Sequence, residues 1–150
     1  MILFIINISS IGGVLGLPYQ GIYSSTKFAL EGYTESLRIE LKPFNIKVVL
    51  IEPGDIKIQF TFRREKLNNL IKKSNYDKNI KNTISIVERD EQSGPSPIKV
   101  AYLIEKIINK KSPKVRYIVG SFYQKFIVLL SRILPKKLIQ WILMKYYKLI

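Results

Sequence analysis

The sequence contains no cysteine and no histidine. Their absence excludes disulfides, thiolate or imidazole zinc sites, cysteine nucleophiles and every histidine-based triad, so no metal site is expected. Proton transfer must then run on Ser, Tyr, Lys, Asp or Glu. No uncharged apolar run reaches 18 residues, the length that marks a membrane-spanning helix. The apolar start, Met1 to Ile6, lacks the basic flank, the length and the small-residue cleavage pattern of a secretory signal, and a cytoplasmic location is expected, with membrane association as the alternative. Acidic residues are also scarce. Twenty-five Lys and Arg stand against eleven Asp and Glu, for a net charge of +14 over 150 residues.

That excess is local. Residues 1–105 carry fourteen basic groups and all eleven acids, whereas residues 106–150 carry eleven basic groups and no acid. A composition 47 % hydrophobic and 24 % charged fits one globular domain with a core. The aromatic residues of the basic tail are mixed with aliphatic ones and no nucleic-acid-binding module is present, so no nucleic-acid partner is expected.

Ile2 to Ile8 is a nearly continuous β-branched run, the pattern of a strand buried on both faces, and it stops at Ser9-Ser10. A loop with Gly12, Gly13, Gly16 and Pro18 follows. Ile22 to Leu41 reads as a helix whose packed face carries Phe28, Ala29, Leu30, Tyr33, Leu37 and Leu41. Pro43 and Asn45 end it, and Ile46 to Ile51 forms a second buried strand, cut at Glu52-Pro53-Gly54. Strand, helix and strand make a βαβ unit with parallel strands and a right-handed crossover. Beyond it, Phe60 to Lys73 reads as a helix and Ser74 to Pro97 as a polar, mobile loop. Ile98 to Asn109 reads as a helix, Val115 to Val119 as a strand, and Ser121 to Ile150 as two basic amphipathic helices split at Pro135.

In an open α/β sheet, ligands bind beyond the carboxyl ends of the strands. Ser9 and Ser10 follow the first strand, and Pro53 and Gly54 the second. Tyr23 and Lys27 stand one turn apart on one face of the first helix. A cation beside a phenol favours the phenolate, which gives a route to proton transfer without histidine. The spacing alone proves little, since about one Tyr-x-x-x-Lys is expected by chance and Tyr102 with Lys106 is a second copy. Only Tyr23 has a serine thirteen residues earlier at a strand end; Tyr102 has Arg89 there and reads as a surface position. The plainer alternatives are that Ser10 caps its loop, that Tyr23 and Lys27 are an ordinary helix pair, and that Pro53-Gly54 is a turn. Gly13 and Gly16 imitate half of a dinucleotide fingerprint. Ile11 takes the place of its first glycine and no helix is expected to start there, so the loop reads as substrate-side.

Asn7-Ile8-Ser9-Ser10, Gly16-Leu17-Pro18, Tyr23 to Gly32 and Glu52 to Lys57 together resemble the short-chain dehydrogenase/reductase family, densely over residues 5–57 and loosely beyond. The resemblance implies an α/β fold: a partial Rossmann-like, doubly wound parallel sheet of about three strands with amphipathic helices at the carboxyl end. It implies an enzyme interconverting an alcohol and a carbonyl with NAD or NADP, on a small, apolar substrate. The Phe28 to Gly32 run and the apolar tail suggest by analogy a steroid, retinoid or fatty-acyl-like compound. Carried over by position, Tyr23 is the general acid/base. Lys27 assists the phenol and holds the nicotinamide ribose, and Ser10 rather than Ser9 binds the substrate oxygen. Pro53, Gly54 and Ile56 line the nicotinamide side together with Tyr23 and Lys27.

The family's pyrophosphate loop and the residue that chooses NAD or NADP belong before the strand at which this sequence starts. Ile58 stands where many relatives have a threonine. The expectation is one incomplete Rossmann-type domain, with 1–60 as catalytic βαβ, 61–97 as substrate-side helix and loop, and 98–150 as the closing helix, strand and helices. Such a chain is expected to be a truncated product or one half of a split enzyme, inactive alone, and homo-oligomeric if the full-length domain exists. The rival reading is a non-catalytic peripheral membrane or interaction module that uses residues 121–150.

Overall fold

The computed structural model describes residues 3–57 and 77–150. Ile58 and the helix expected over Phe60 to Lys73 lie outside the described residues. Three parallel strands, β1 (Phe4–Ile8), β2 (Lys47–Pro53) and β3 (Arg116–Val119), form a sheet in the order β1-β2-β3. The register pairs Phe4 with Lys47 through Ile8 with Ile51, and Leu50 with Arg116 through Pro53 with Val119. β2 is central, and Val48 to Glu52 are buried. β1, expected to be buried on both faces, is half-buried, and Ile8 is exposed. Among the described residues it pairs with β2 alone, which leaves its other edge open.

Helices cover both faces, as a doubly wound sheet requires. On one face Phe4, Ile6, Val49 and Ile51 pack with Ile107 and Ile104 of α3 (Ile98–Ile108). On the other lies α1 (Gly21–Glu40), where Asn7 donates from Nδ2 to Thr34 Oγ1 at 2.9 Å. A single 3-10 turn (Lys42–Phe44) and Asn45 in the left-handed region (φ 55°) reverse the chain into β2, where Pro43 and Asn45 signal the end of the helix.

Two readings need correction. The inward face of α1 is polar: Ser24, Glu31 and Thr34 are its buried residues, while Phe28, Ala29 and Tyr33 are exposed. Each buried side chain has a job that an apolar one cannot do. Ser24 Oγ accepts from Leu17 N at 3.2 Å, Thr34 bridges Asn7 and Leu30, and Glu31 meets Arg116. The segment read as a mobile loop is largely a helix, α2 (Asp77–Ser93), which buries Thr83, Ile86 and Val87. No Gly or Pro interrupts it, and the breakers that coloured the reading, Gly94, Pro95 and Pro97, all lie beyond its end.

The carboxyl-terminal part splits at Pro135 as its sequence indicates, into α4 (Phe122–Leu130) and α5 (Lys136–Tyr146). Their inner faces bury Ile127, Val128 and Ile139 against Ile11 and Leu15 of the loop after β1. Ser121 and Gln124 form a capping box at the start of α4. The Gln124 amide also docks that end on the sheet: it donates to Asp55 Oδ2, and a Cβ on Gly54 would collide with its Oε1.

Candidate active site

At the carboxyl ends of β1 and β2 lies a cavity of about 540 Å³ whose lining includes Ser10, Tyr23, Lys27, Pro53, Gly54 and Ile56. The six positions singled out in the sequence therefore share one space, although 46 residues separate the first from the last. The walls are mainly apolar, with Ile11 and Leu17 from the loop, Val87 from α2, Val100 and Ile104 from α3, and Tyr147 just after α5.

Tyr23, Lys27 and Glu31 follow one another every four residues and form one stripe of α1. Its first two members face the cavity. Lys27 Nζ lies 5.9 Å from the Tyr23 ring centroid and donates to the Ile8 carbonyl at 3.2 Å, so the end of β1 holds the ammonium beside the ring. The third member anchors the stripe. Arg116 Nη1 binds Glu31 Oε2 and Glu52 Oε1, the latter at 2.5 Å, and its Nη2 reaches Glu35 at 2.5 Å. Glu52 is 0 % exposed and immediately precedes Pro53, and Arg132 stands 3.5 Å from its other oxygen. One guanidinium thus ties the face of α1 that carries Tyr23 and Lys27 to the strand end that carries Pro53 and Gly54. Burial pushes the Glu31 carboxyl above its ordinary range, while the Ser9 hydroxyl and Arg116 pull it down.

Ser10 Oγ accepts from Gly12 N at 3.1 Å, so the capping role weighed for it is real. The bond occupies a lone pair and leaves the hydroxyl proton available to a ligand. Ser9 also lines the cavity, and it is buried against Gly13, where a Cβ would lie 2.6 Å from its Oγ and 3.1 Å from Glu31 Cγ. Gly12 serves the same close approach. A Cβ on Gly12 would stand 3.0 Å from Tyr23 Cε1. A helix does start at Ile11, contrary to expectation, but it is a single 3-10 turn (Ile11–Gly13), buried beneath α1 and not open to a phosphate. Tyr102 and Lys106 are exposed on α3 and do not line the cavity.

Several cavity residues escaped the sequence reading. Val87 and Glu91 lie in the segment taken for a loop, and Tyr147 closes the cavity from the far end of the chain. Asp55 lines it too. Burial, with Asp90 and Glu91 nearby, pushes its carboxyl up to about 6, against the pull of Gln124. Arg116 and Glu52 had a visible signal: opposite charges inside two otherwise apolar strands point to a buried pair.

The nicotinamide and ribose end of a dinucleotide fits the residues present. A lysine fixed by a backbone carbonyl, a tyrosine one turn away and the strand-end Pro53-Gly54 line one cavity.

The profile described as short chain dehydrogenase matches residues 4–69. A 3-ketodihydrosphingosine reductase of Bacteroides thetaiotaomicron is 41 % identical over 143 residues, covering 95 % of this chain and 53 % of that protein. An NADPH-dependent 3-dehydrocapnine reductase of Ornithobacterium rhinotracheale is 35 % identical over 116 residues, covering 77 % of this chain and 41 % of that protein. Among solved structures, a short-chain dehydrogenase from Streptomyces avermitilis superposes with a TM-score of 0.60 at 26 % identity, over 97 % of this chain and 50 % of its own. The chain spans about half the length of the curated relatives it matches. With the parallel sheet, the cavity at its carboxyl edge and these likenesses together, the chain belongs to the short-chain dehydrogenase/reductase family.

Proposed function

We propose that these residues form the proton-transfer and substrate-binding part of an NAD(P)-dependent oxidoreductase that reduces a ketone on an apolar, long-chain substrate. The observation that carries the reading is the convergence of Ser10, Tyr23 and Lys27 with Pro53, Gly54 and Ile56 on one mainly apolar cavity. The direction and substrate class draw on the two relatives named above, both called reductases.

NAD(P)H, when bound, supplies the hydride. The protein's own work is orientation and proton supply. Ser10 donates its free hydroxyl proton to the substrate oxygen as negative charge develops there. Tyr23 gives that oxygen its phenolic proton, a step of the general-acid kind worth about 10²–10⁴ in rate. Lys27 places a fixed positive charge beside the phenol as the phenol oxygen becomes negative, and it would also hold the ribose hydroxyls of the cofactor. The apolar walls take the substrate chain and keep water from the reacting carbonyl.

Because Gly12 and Gly13 are packed against α1, the residues of this chain that would hold a dinucleotide are those at its nicotinamide end. We therefore expect the 150-residue chain alone to bind NAD(P)H more weakly than about 10 µM and to turn over poorly. Titration of cofactor fluorescence tests this, and saturable binding below about 1 µM would contradict it. Reduction of a long-chain ketone by a chimera, in which this chain replaces the matching half of the Bacteroides reductase, tests the assignment of function.

A further inference from the structure

We infer that the outward faces of α4 and α5 dock on an anionic bilayer surface. The two helices are amphipathic with both sides used. Their inner faces bury Ile127, Val128 and Ile139. Outward, Phe122 (86 % exposed), Phe126, Leu129 and Ile133 (74 % exposed) recur at i, i+4, i+7 and i+11, a single stripe that runs off the end of α4. Phe122 and Phe126 stack with ring centroids 6.3 Å apart. On α5, Leu138 and Trp141 are likewise exposed, with Lys145 Nζ 5.8 Å from the Trp141 ring. Side chains of this size are ordinarily buried, and a run of them in water marks a docking face.

Charge identifies the occupant. Residues 121–150 carry six Lys and Arg and no acid. Arg132 turns in toward Glu52, whereas Lys125, Lys137 and Lys145 stand exposed among the apolar residues. A second copy meeting this face through a two-fold axis would set like charges against like charges. An anionic bilayer satisfies both components: the lysines meet lipid phosphates and the aromatic and aliphatic side chains enter the interface. No helix among the described residues is long and apolar enough to cross a membrane, so the pair lies on the surface. Tyr147, one residue past α5, lines the cavity, so the helix that rests on the lipid also borders the space proposed for an apolar substrate. The inference does not depend on catalysis.

Co-sedimentation of the whole chain with sucrose-loaded vesicles tests it. Vesicles of phosphatidylcholine with about 30 % phosphatidylserine should bind the chain at least about tenfold more tightly than phosphatidylcholine alone at about 0.1 M salt. Replacing Lys125, Lys137 and Lys145 with Glu should abolish that difference. An equal charge change at the exposed Lys42, Lys78 and Lys106 should leave most of it, which separates this face from the net charge. F122S with W141S, both at exposed positions, should lower binding at least about fivefold with the thermal transition unchanged. Equal binding to both vesicles, or equal loss from the two lysine triples, would overturn the inference. So would a dimer in velocity sedimentation that F122S with W141S disperses, since the face would then belong to a second copy.

Discussion

Residues 1–57 and residues 77–150 divide the work of one cavity by different physics. The first stretch is charge-balanced, with five basic and five acidic residues, and its sheet, turn and helix place Ser10, Tyr23, Lys27 and Pro53-Gly54 through short-range geometry. The second carries fifteen basic residues against five acidic ones and supplies the roof: Val87, Glu91, Val100, Ile104 and Tyr147 come from three helical segments. The proton-transfer role proposed for this stretch needs groups fixed to within about half an ångström, which strand ends and a helix stripe can provide. A chain-binding wall needs only apolar surface of the right extent, and variable helices can build it. The polar joints between the two regions include Arg116 with Glu31 and Glu52, and Gln124 with Asp55.

Cutting the first joint should have the largest effect on stability. Arg116→Met leaves Glu52 buried without its main cation and is expected to cost about 3–5 kcal/mol in urea unfolding. Lys81→Met, which removes an exposed pair with Asp77 on α2, should cost under about 0.5 kcal/mol. Similar losses from both would erase the distinction between joint and surface.

The second joint should show itself in pH dependence. Asp55 holds its proton in the folded state up to about 6, whereas the unfolded chain releases it near 4. The folded state is therefore favoured below about pH 4, and that advantage is lost as pH rises through about 6, up to about 3 kcal/mol in all. Asp55→Asn should remove this slope and make the protein the more stable variant at pH 8. Unfolding midpoints at pH 4, 6 and 8 would check it, and parallel curves for the two proteins would refute the account of Asp55.

Gly12→Ala tests the short-range precision of the first region. The new methyl meets the Tyr23 ring at 3.0 Å and Leu17 Cδ1 at 3.2 Å, and we expect a loss of about 1–2 kcal/mol with displacement of the ring. Calorimetry gives the first quantity and the Tyr23 ring resonances the second. The smallest effect should come from Tyr102→Phe with Lys106→Ala, the exposed copy of the same spacing, which should change stability by less than about 0.5 kcal/mol.

Legibility in the sequence followed the same division. The βαβ unit, and the meeting of the six positions at one cavity, could be read because parallel strands are continuous apolar runs and because strand ends fix where ligands sit. The face of α1 could not be read from hydrophobicity. Its inner residues, Ser24, Glu31 and Thr34, are there for hydrogen bonds and an ion pair whose partners, Leu17, Asn7 and Arg116, lie up to 85 residues away. α2 was hidden by polar composition, since only Thr83, Ile86 and Val87 of its seventeen residues are buried. The contribution of Tyr147 depends on how α5 folds back over the loop after β1, a tertiary contact with no local signature.

The central claim is that Tyr23, held by Lys27 and the Arg116 joint, is the proton donor of a ketone reductase. Its most direct test is the turnover number of the chimera described above, with Tyr23 intact and as Tyr23→Phe, at saturating NADPH and long-chain ketone. The account predicts a fall of about 10²–10⁴ in kcat with little change in cofactor affinity. Turnover by the phenylalanine variant within about threefold of the parent would contradict it.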